Sequence, residues 1–195
     1  MTTTNLSRRE SLLAIASIAA LSCAPAFAAT ELPSSSIYKL DAKLTDQDGR
    51  EFDLASLRGQ PVLASMFYSS CQMVCPMIFE TIHSTLKALP EAERKDVRVL
   101  MVSFDPPRDT VAVLKETAAK RNCDSQWTLA RSDETTVRKV AAVLGVQYRK
   151  LADGEFNHST QLALLDRDGR IAAKSGKLGP ADPALVKRMH AIVAA

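Results

Sequence analysis

Two nearly continuous apolar runs stand out in the first half of the chain. They cover residues 61–67, which read PVLASMF, and residues 97–104, which read VRVLMVSF. Runs of this kind, bounded by polar segments, are typical of strands that are buried on both faces of a parallel sheet. Between the runs, apolar residues recur at helical spacing: Met77, Ile78, Ile82, Leu86 and Leu89. The pattern therefore predicts a strand–helix–strand unit, the repeating element of α/β proteins.

Three further helices are predicted downstream of this unit. Asp109 or Thr110 is a suitable N-terminal cap for a helix that extends to about Arg121. A helix over residues 135–144 is expected to end at Gly145, since glycine favours the left-handed conformation that follows many helices. A last amphipathic helix is predicted over residues 183–193.

Two hairpins complete the predicted order of elements. The first joins residues 40–44 and 50–52 through the turn DQDG, and residues 54–57 follow it as a short helical turn. The second joins residues 160–165 and 171–173 through the turn DRDG. The whole order predicts an α/β fold, in which the first buried strand leads into the segment YSSCQMVCP at its carboxyl end. Open α/β sheets place their ligand sites in the crevice at such strand ends.

Composition and charge narrow the class of protein. The chain has 195 residues, of which 46% are hydrophobic and 24% charged, as expected for one globular domain. Its net charge is only +3, and basic and acidic residues alternate along it. This balance argues against a nucleic-acid-binding surface. No small-molecule substrate is expected either.

Residues 1–28 have the pattern of an export signal. Arg8 and Arg9 precede a mostly apolar run from residue 12 to 21, and the small-x-small sequence Ala26-Phe27-Ala28 follows. The adjacent arginines resemble a twin-arginine signal, although ordinary export remains open. We therefore predict periplasmic location, a flexible lead-in over residues 29–37 and a folded domain over residues 38–195.

Two alternatives would attach the protein to a membrane. Cys23 could be lipidated, although Ala20 stands where lipoprotein sites usually have leucine. An uncleaved anchor is the other alternative, but the apolar run falls short of the ~20 residues that a membrane span needs.

Cys71 and Cys75 are four residues apart, and Pro76 stands where the first turn of the predicted helix begins. This spacing brings the two side chains to one side of the helix start, where they could form a disulfide or bind one metal ion. Unpaired N–H groups at a helix start also favour thiolates. The plain alternative is a pair of small buried hydrophobic residues. The sequence has four cysteines, so cleavage after Ala28 would leave three, and an odd number argues against a framework of disulfides alone.

A metal site would need a third ligand, for which the sequence offers three histidines. His83 lies about two turns along the predicted helix from Cys75, too far to reach its start. His190 lies near the chain end in an amphipathic helix, where a surface role is the simpler interpretation. His158 lies in a predicted loop just ahead of an apolar strand, although a histidine in such a loop is more often not a ligand.

The combination of these motifs resembles the Sco/SenC family of exported, thioredoxin-like copper proteins, which assist cytochrome oxidase assembly. The resemblance extends over residues 40–195 and rests on the apolar strand before CQMVCP, the segment SFDPPRDT at 103–110, and HST at 158–160 before an apolar strand and DRDG. It implies a thioredoxin-like fold with an N-terminal β-hairpin and a loop carrying His158 ahead of the C-terminal hairpin. The sequence departs from the family pattern at Gln72, often proline, and at Asn157, often acidic.

By position, the resemblance implies that Cys71, Cys75 and His158 bind copper and that Asp105 lies near the site or on a docking surface. Two thiolates and an imidazole suit Cu(I) independently of the resemblance. Zinc accepts the same donors, but its structural sites normally have four protein ligands and only three are evident here. Met73 could be a fourth soft donor, although a packing or rim position is the simpler interpretation.

The predicted function is therefore that of a periplasmic copper chaperone. Its expected partners are a copper-receiving oxidase subunit or another copper protein, and a periplasmic thiol reductant. The alternative is a thiol-disulfide reductase that uses Cys71 and Cys75 as a redox pair on the cysteines of a copper-site protein. A peroxiredoxin fits less well, because it typically has Thr or Ser three residues before its reactive cysteine. Here Tyr68 stands three residues before Cys71 and Gln72 three residues before Cys75.

Two other residues are assigned no role in the site. Cys123 is interpreted as a stray thiol, and Trp127 is predicted at the domain edge.

Overall fold

The computed structural model describes residues 31–194. The predicted export signal over residues 1–28, with the twin arginines and Cys23, lies outside these residues and stays a prediction. None of the helices within 31–194 combines the length and the apolar character needed to cross a membrane.

Nine strands form one large and one small sheet in this part of the chain. They are β1 Lys43–Asp46, β2 Glu51–Asp53, β3 Val62–Phe67, β4 Arg98–Ser103, β5 Trp127–Arg131, β6 Tyr148–Lys150, β7 Phe156–His158, β8 Leu162–Leu165 and β9 Ile171–Ser175. The large sheet has the order β2-β1-β5-β4-β3-β8-β9, with β3, β4 and β5 parallel and the outer pairs antiparallel. Within residues 31–194, strands β6 and β7 pair only with each other. The predicted α/β architecture is confirmed, including both predicted hairpins.

The helices follow the predicted caps closely. They are α1 Val74–Lys87, α2 Glu91–Arg94, α3 Val111–Lys120, α4 Glu134–Leu144 and α5 Pro183–Val193, with short 3-10 helices at Ile37–Lys39 and Leu54–Leu57. Thr110, rather than Asp109, caps α3 by accepting a hydrogen bond from the Val113 N–H. Gly145 follows α4 in the left-handed conformation, with φ of 81°, as predicted. Helix α2 was not predicted from the sequence.

Strand β5 was also not predicted from the sequence, and Trp127 is its first residue. The residue is 2% exposed at the start of β5, which lies between β1 and β4 in the sheet, so its predicted place at the domain edge is wrong. The strand has only five residues, and alanine and arginine among them have little strand preference. Its pairing with both neighbours therefore outweighs its local signal.

The segment before the C-terminal hairpin differs from the predicted loop. It contains β6 and β7, and His158 is the last residue of β7. Both strands have three residues and are mostly polar in sequence, so the alternation that identifies a strand is too short to detect.

The predicted lead-in also has an ordered end. Ser36 and Ile37 are buried, and the Ile37 N–H donates to the Gly169 carbonyl in the turn between β8 and β9. Tyr38 lies directly beneath that glycine, within 2.5–2.8 Å of where a Cβ would stand. This close approach holds the start of the domain against the C-terminal hairpin.

Candidate metal centre

The two cysteines lie where β3 passes into α1. All six residues of β3 are buried, and the loop over residues 68–73 turns the chain into the helix. Within this loop the Cys71 N–H donates to the Tyr68 carbonyl at 3.3 Å, and Cys71 Sγ accepts from the Cys75 N–H at 3.3 Å. The cysteine sulfur thus satisfies one of the backbone donors that a helix start leaves free. The local fold therefore points the sulfur of Cys71 toward the first turn of α1.

The structure brings three predicted site residues together. Cys71 Sγ, Cys75 Sγ and a ring nitrogen of His158 all lie within 4.8 Å of one another. Both cysteines are free thiols and buried, while His158 is half-buried. Two sulfurs and one imidazole at this separation fit a three-coordinate soft metal ion after small side-chain adjustments.

The two thiols differ in acidity. Burial acts to raise the pKa of Cys71, but hydrogen bonds from the backbone N–H groups of Cys75, Met73 and Val74 and from the Cys75 side chain outweigh it and lower the pKa. Burial raises the pKa of Cys75 far above its usual range, and the neighbouring Cys71 and Asp109 add to this effect. Cys71 is therefore the thiol that loses its proton first.

His158 reaches the cysteines from the hairpin formed by β6 and β7. Its Nδ1 lies 3.1 Å from the Ser159 carbonyl oxygen. With the ring proton on Nδ1, this contact is a hydrogen bond and the Nε2 lone pair is left for a ligand. Histidines that bind metals commonly donate their second ring N–H to a carbonyl in this way.

An aromatic layer supports the imidazole. The ring of His158 lies 5.0 Å from Phe104 and 5.8 Å from Tyr68, measured between centroids. Phe156, also on the hairpin, lies 5.1 Å from each of these rings, and Tyr148 stacks on Phe104 at 5.0 Å. The hairpin is therefore held against the ends of β3 and β4 by aromatic packing.

Arg108 is a second attachment point for the hairpin. It makes an ion pair with the buried carboxylate of Asp105, and its guanidinium donates at 2.6 Å to the Gly154 carbonyl in the β6–β7 turn. Its guanidinium carbon lies 5.7 Å from the Phe156 centroid and 3.7 Å separates Nη1 from a carboxylate oxygen of Glu155. Asp105 is thus a neighbour of the site, as the resemblance implies, and acts through Arg108.

Glu155 links the hairpin to the cysteine loop. Its carboxylate accepts a hydrogen bond from Tyr68 Oη at 2.9 Å. Burial, this hydrogen bond and the nearby Cys71 together raise the pKa of the Tyr68 phenol well above its usual range. The phenol therefore stays protonated and keeps its role as a donor.

Asp109 anchors the start of the cysteine loop from below. Its fully buried carboxylate accepts from the Ser69 N–H at 3.2 Å and from the hydroxyls of Ser69 and Ser103. The sequence motif SFDPPRDT contains Ser103, Asp105, Arg108 and Asp109, so the motif was found but the structural roles of its last two charged residues were missed. Only the fold shows that residues 103–109 face the loop at 68–71.

The site opens to solvent through a cavity of about 410 Å³, which Cys71, Met73, Phe156 and His158 line. A larger cavity of about 620 Å³ lies on the other side of the hairpin, lined by Phe156, Tyr148 and basic side chains, and contains none of the three candidate ligands. Metal binding is therefore assigned to the cavity of about 410 Å³, which Cys71 and His158 line.

The other sequence candidates lie away from the three donors. His83 Nε2 is 2.9 Å from the Arg121 carbonyl and its ring packs on Trp127, while His190 pairs with Glu93. Burial raises the pKa of Cys123 to about 12, so this thiol stays protonated at neutral pH. Among the described residues, only Cys71, Cys75 and His158 form a three-residue cluster of histidine, cysteine or carboxylate donors.

A family model for SCO1/SenC matches residues 33–193, which is most of the chain. The chain belongs to the SCO1/SenC family. The SCO1 protein homologue of Bacillus subtilis is 30% identical to it over 131 residues, 65% of this chain and 67% of that protein. This match confirms the family resemblance that was inferred from the sequence motifs.

Solved structures agree with the fold. The copper-bound ScoI of Bradyrhizobium japonicum is 30% identical, with a TM-score of 0.64 over 76% of this chain and 96% of that one. A SCO1/SenC family lipoprotein of Bacillus anthracis is 26% identical, with a TM-score of 0.69 over 77% and 91%. The predicted thioredoxin-like architecture is that of these Sco proteins.

Proposed function

We propose that the protein is a periplasmic copper chaperone that binds copper through Cys71, Cys75 and His158. The observation that carries this proposal is the approach of all three donor atoms to within 4.8 Å of one another. Soft thiolates with one imidazole favour Cu(I) and can also hold Cu(II). The copper-bound relative from Bradyrhizobium japonicum, at 30% identity, supports the choice of copper.

The proposed recipient is a copper protein such as the copper-bearing subunit of cytochrome c oxidase, in keeping with the family. Periplasmic location is supported by the export pattern over residues 1–28. Membrane attachment through a lipidated Cys23 or an uncleaved signal stays the alternative, and the lipoprotein relative from Bacillus anthracis supports it. The copper ion is the cargo of this activity, and the domain supplies its ligands.

A second candidate function is thiol-disulfide reduction, which the unequal acidity of the two thiols favours. The Cys71 thiolate attacks a disulfide of a copper-site protein and forms a mixed disulfide, releasing one thiolate of the target. Cys75 then loses its proton, attacks Cys71 Sγ and releases the second thiolate, so the target is reduced and a Cys71–Cys75 disulfide forms. A periplasmic thiol reductant returns the two electrons.

The variant His158→Ala separates the two functions. Copper content per chain and turnover on a protein disulfide are measured for the wild type, for His158→Ala and for His190→Ala, a histidine paired with Glu93 away from the site. We expect His158→Ala alone to lose copper. Full copper binding by His158→Ala would contradict the three-ligand site, and disulfide turnover that survives the substitution would favour the reductase.

A further inference from the structure

The methionines divide into two groups by exposure. Of the six in the sequence, Met1 lies outside the described residues, and Met66, Met101 and Met189 are at most 2% exposed. Met73 and Met77 are 78% and 47% exposed. Within residues 31–194 the only other exposed large hydrophobic side chain is Leu151. Burying a methionine side chain is favourable, so the exposure of two neighbouring ones is not explained by packing.

Both exposed methionines stand at the start of α1, beside the candidate copper ligands. Met73 is the residue directly before the helix and Met77 lies four positions further, on the same side of it. The Cys71–Cys75 pair has the same four-residue spacing but is offset from the methionines by two residues. The two pairs therefore lie on different sides of the helix start, the methionines toward solvent and the cysteines toward the core.

The exposure of the sulfur-containing side chains falls from the solvent side of the cavity to the candidate ligands. Met73 lines the cavity that opens onto Cys71 and His158, and Met73 and Cys71 are the two sulfur-containing residues in its wall. Exposure falls from 78% at Met73 to 6% at Cys71 and 2% at Cys75. An ion that enters from solvent therefore meets the thioether of Met73 before it meets a thiolate.

Thioethers are soft, neutral donors that select Cu(I) and carry no proton to displace. We propose that Met73 and Met77 form a low-affinity Cu(I) entry site on the exposed side of the start of α1, from which Met73, in the wall of the cavity, passes the ion to Cys71 and Cys75. This inference rests on the proposed copper function. Copper stays Cu(I) throughout; its thioether ligands are exchanged for thiolates, and the protons of the cysteine thiols go to water.

Loading kinetics test the transfer. Cu(I) held by a chromophoric chelator is mixed anaerobically with reduced wild type, with the double variant Met73→Leu/Met77→Leu and with Met189→Leu, in which the same change is made at a buried methionine of α5. Leucine keeps the apolar bulk and removes the sulfur. We expect the double variant to load about tenfold more slowly, with the same final copper content, and Met189→Leu to load like the wild type. Equal loading rates in all three proteins would overturn the entry site.

A binding measurement separates this inference from the proposed function. Met methyl groups labelled with ¹³C are followed by NMR in the variant Cys71→Ser/Cys75→Ser/His158→Ala while Cu(I) is added. We expect the methyl signals of Met73 and Met77 to shift and those of Met66, Met101 and Met189 to stay. Unmoved Met73 and Met77 signals at millimolar Cu(I) would contradict the methionine site, whereas a wild type that retains no copper would contradict the three-ligand site alone.

Discussion

Cys71 and Cys75 follow an interior strand of the large sheet whose six residues are all buried, whereas His158 ends a three-residue strand of a separate sheet. The cysteine side is fixed by the core: Phe79, four residues after Cys75, packs edge-to-face on Phe67 at 5.5 Å. The histidine side is held by the aromatic layer and by two partly exposed charged residues, Arg108 and Glu155.

The difference separates stability from ligand geometry. Changes beneath the cysteines remove packing from the core and lower the free energy of unfolding. Changes around the hairpin remove less core packing and alter where the imidazole stands. The two sides can therefore be perturbed one at a time.

The largest effect is expected from removing a thiolate. Cys71→Ser replaces a soft donor by a hydroxyl that does not ionise at neutral pH, so we expect the purified protein to retain no copper after desalting. Cys123→Ser is the matched control, because Cys123 lies outside the donor cluster. Copper content by atomic absorption checks this, and copper retained in equal amounts by both variants would exclude Cys71 as a ligand.

Removing core packing beneath the cysteines should have the next largest effect. Phe79 is 1% exposed, and Phe79→Ala is expected to lower the free energy of unfolding by about 3–5 kcal/mol. Phe156→Ala, on the half-buried hairpin, should cost less. Urea unfolding of the metal-free proteins measures both, and an equal or larger cost for Phe156→Ala would show that the hairpin belongs to the core.

The same contrast explains how much the sequence could predict. The cysteine side was predicted correctly as a buried strand followed by a helix, because long apolar runs and helical spacing are local signals. The histidine side was predicted as a loop. Its strands have three residues each, and Tyr148 and Phe156 are held by the rings of Tyr68 and Phe104, which directly follow β3 and β4 and are distant in sequence. Such contacts leave no periodic pattern.

The supporting residues of the site follow the same division. His158 was named through family resemblance, since nothing in its local pattern distinguishes it from a loop histidine. Arg108 and Asp109 lie in a motif that was noticed, but their roles depend on the β4–α3 loop meeting both the cysteine loop and the hairpin turn. That meeting is a property of the folded sheet.

A smaller effect is expected from loosening the hairpin. Arg108→Gln removes the ion pair with Asp105 and the contact with Glu155, so we expect copper affinity to fall about tenfold, the lower end for loss of a group that orients a ligand. The free energy of unfolding should fall as well, because the buried Asp105 carboxylate loses its cationic partner. Arg138→Gln, which removes only an exposed pair with Glu134, is the control.

Competition with a Cu(I) chelator measures the affinities, and NMR of the His158 ring reports its surroundings. Arg108→Lys restores the charge without the planar fork of donors, and we expect it to recover only part of the affinity. An unchanged affinity and an unchanged His158 signal in Arg108→Gln would show that aromatic packing alone positions the imidazole.

The smallest effect concerns the order in which the two thiols ionise. The pKa of Cys71 is lowered and that of Cys75 is raised, so as pH rises Cys71 becomes a thiolate first. Because the thiolate is the reacting form, the alkylation rate of Cys71 in the metal-free protein should reach its midpoint at a lower pH than that of Cys75 or Cys123. Below that midpoint the rate should fall as pH falls.

Mass spectrometry of iodoacetamide-labelled peptides measures the rate at each cysteine. Cys123, whose pKa is raised to about 12, is the internal reference and should react slowly throughout the neutral range. Faster labelling of Cys75 than of Cys71 would reverse the assignment of nucleophile and resolving thiol. It would also show that the N–H groups at the start of α1 stabilise the thiolate of Cys75, the more buried cysteine. Ligand exchange would then begin at Cys75 and not at Cys71, which lines the cavity.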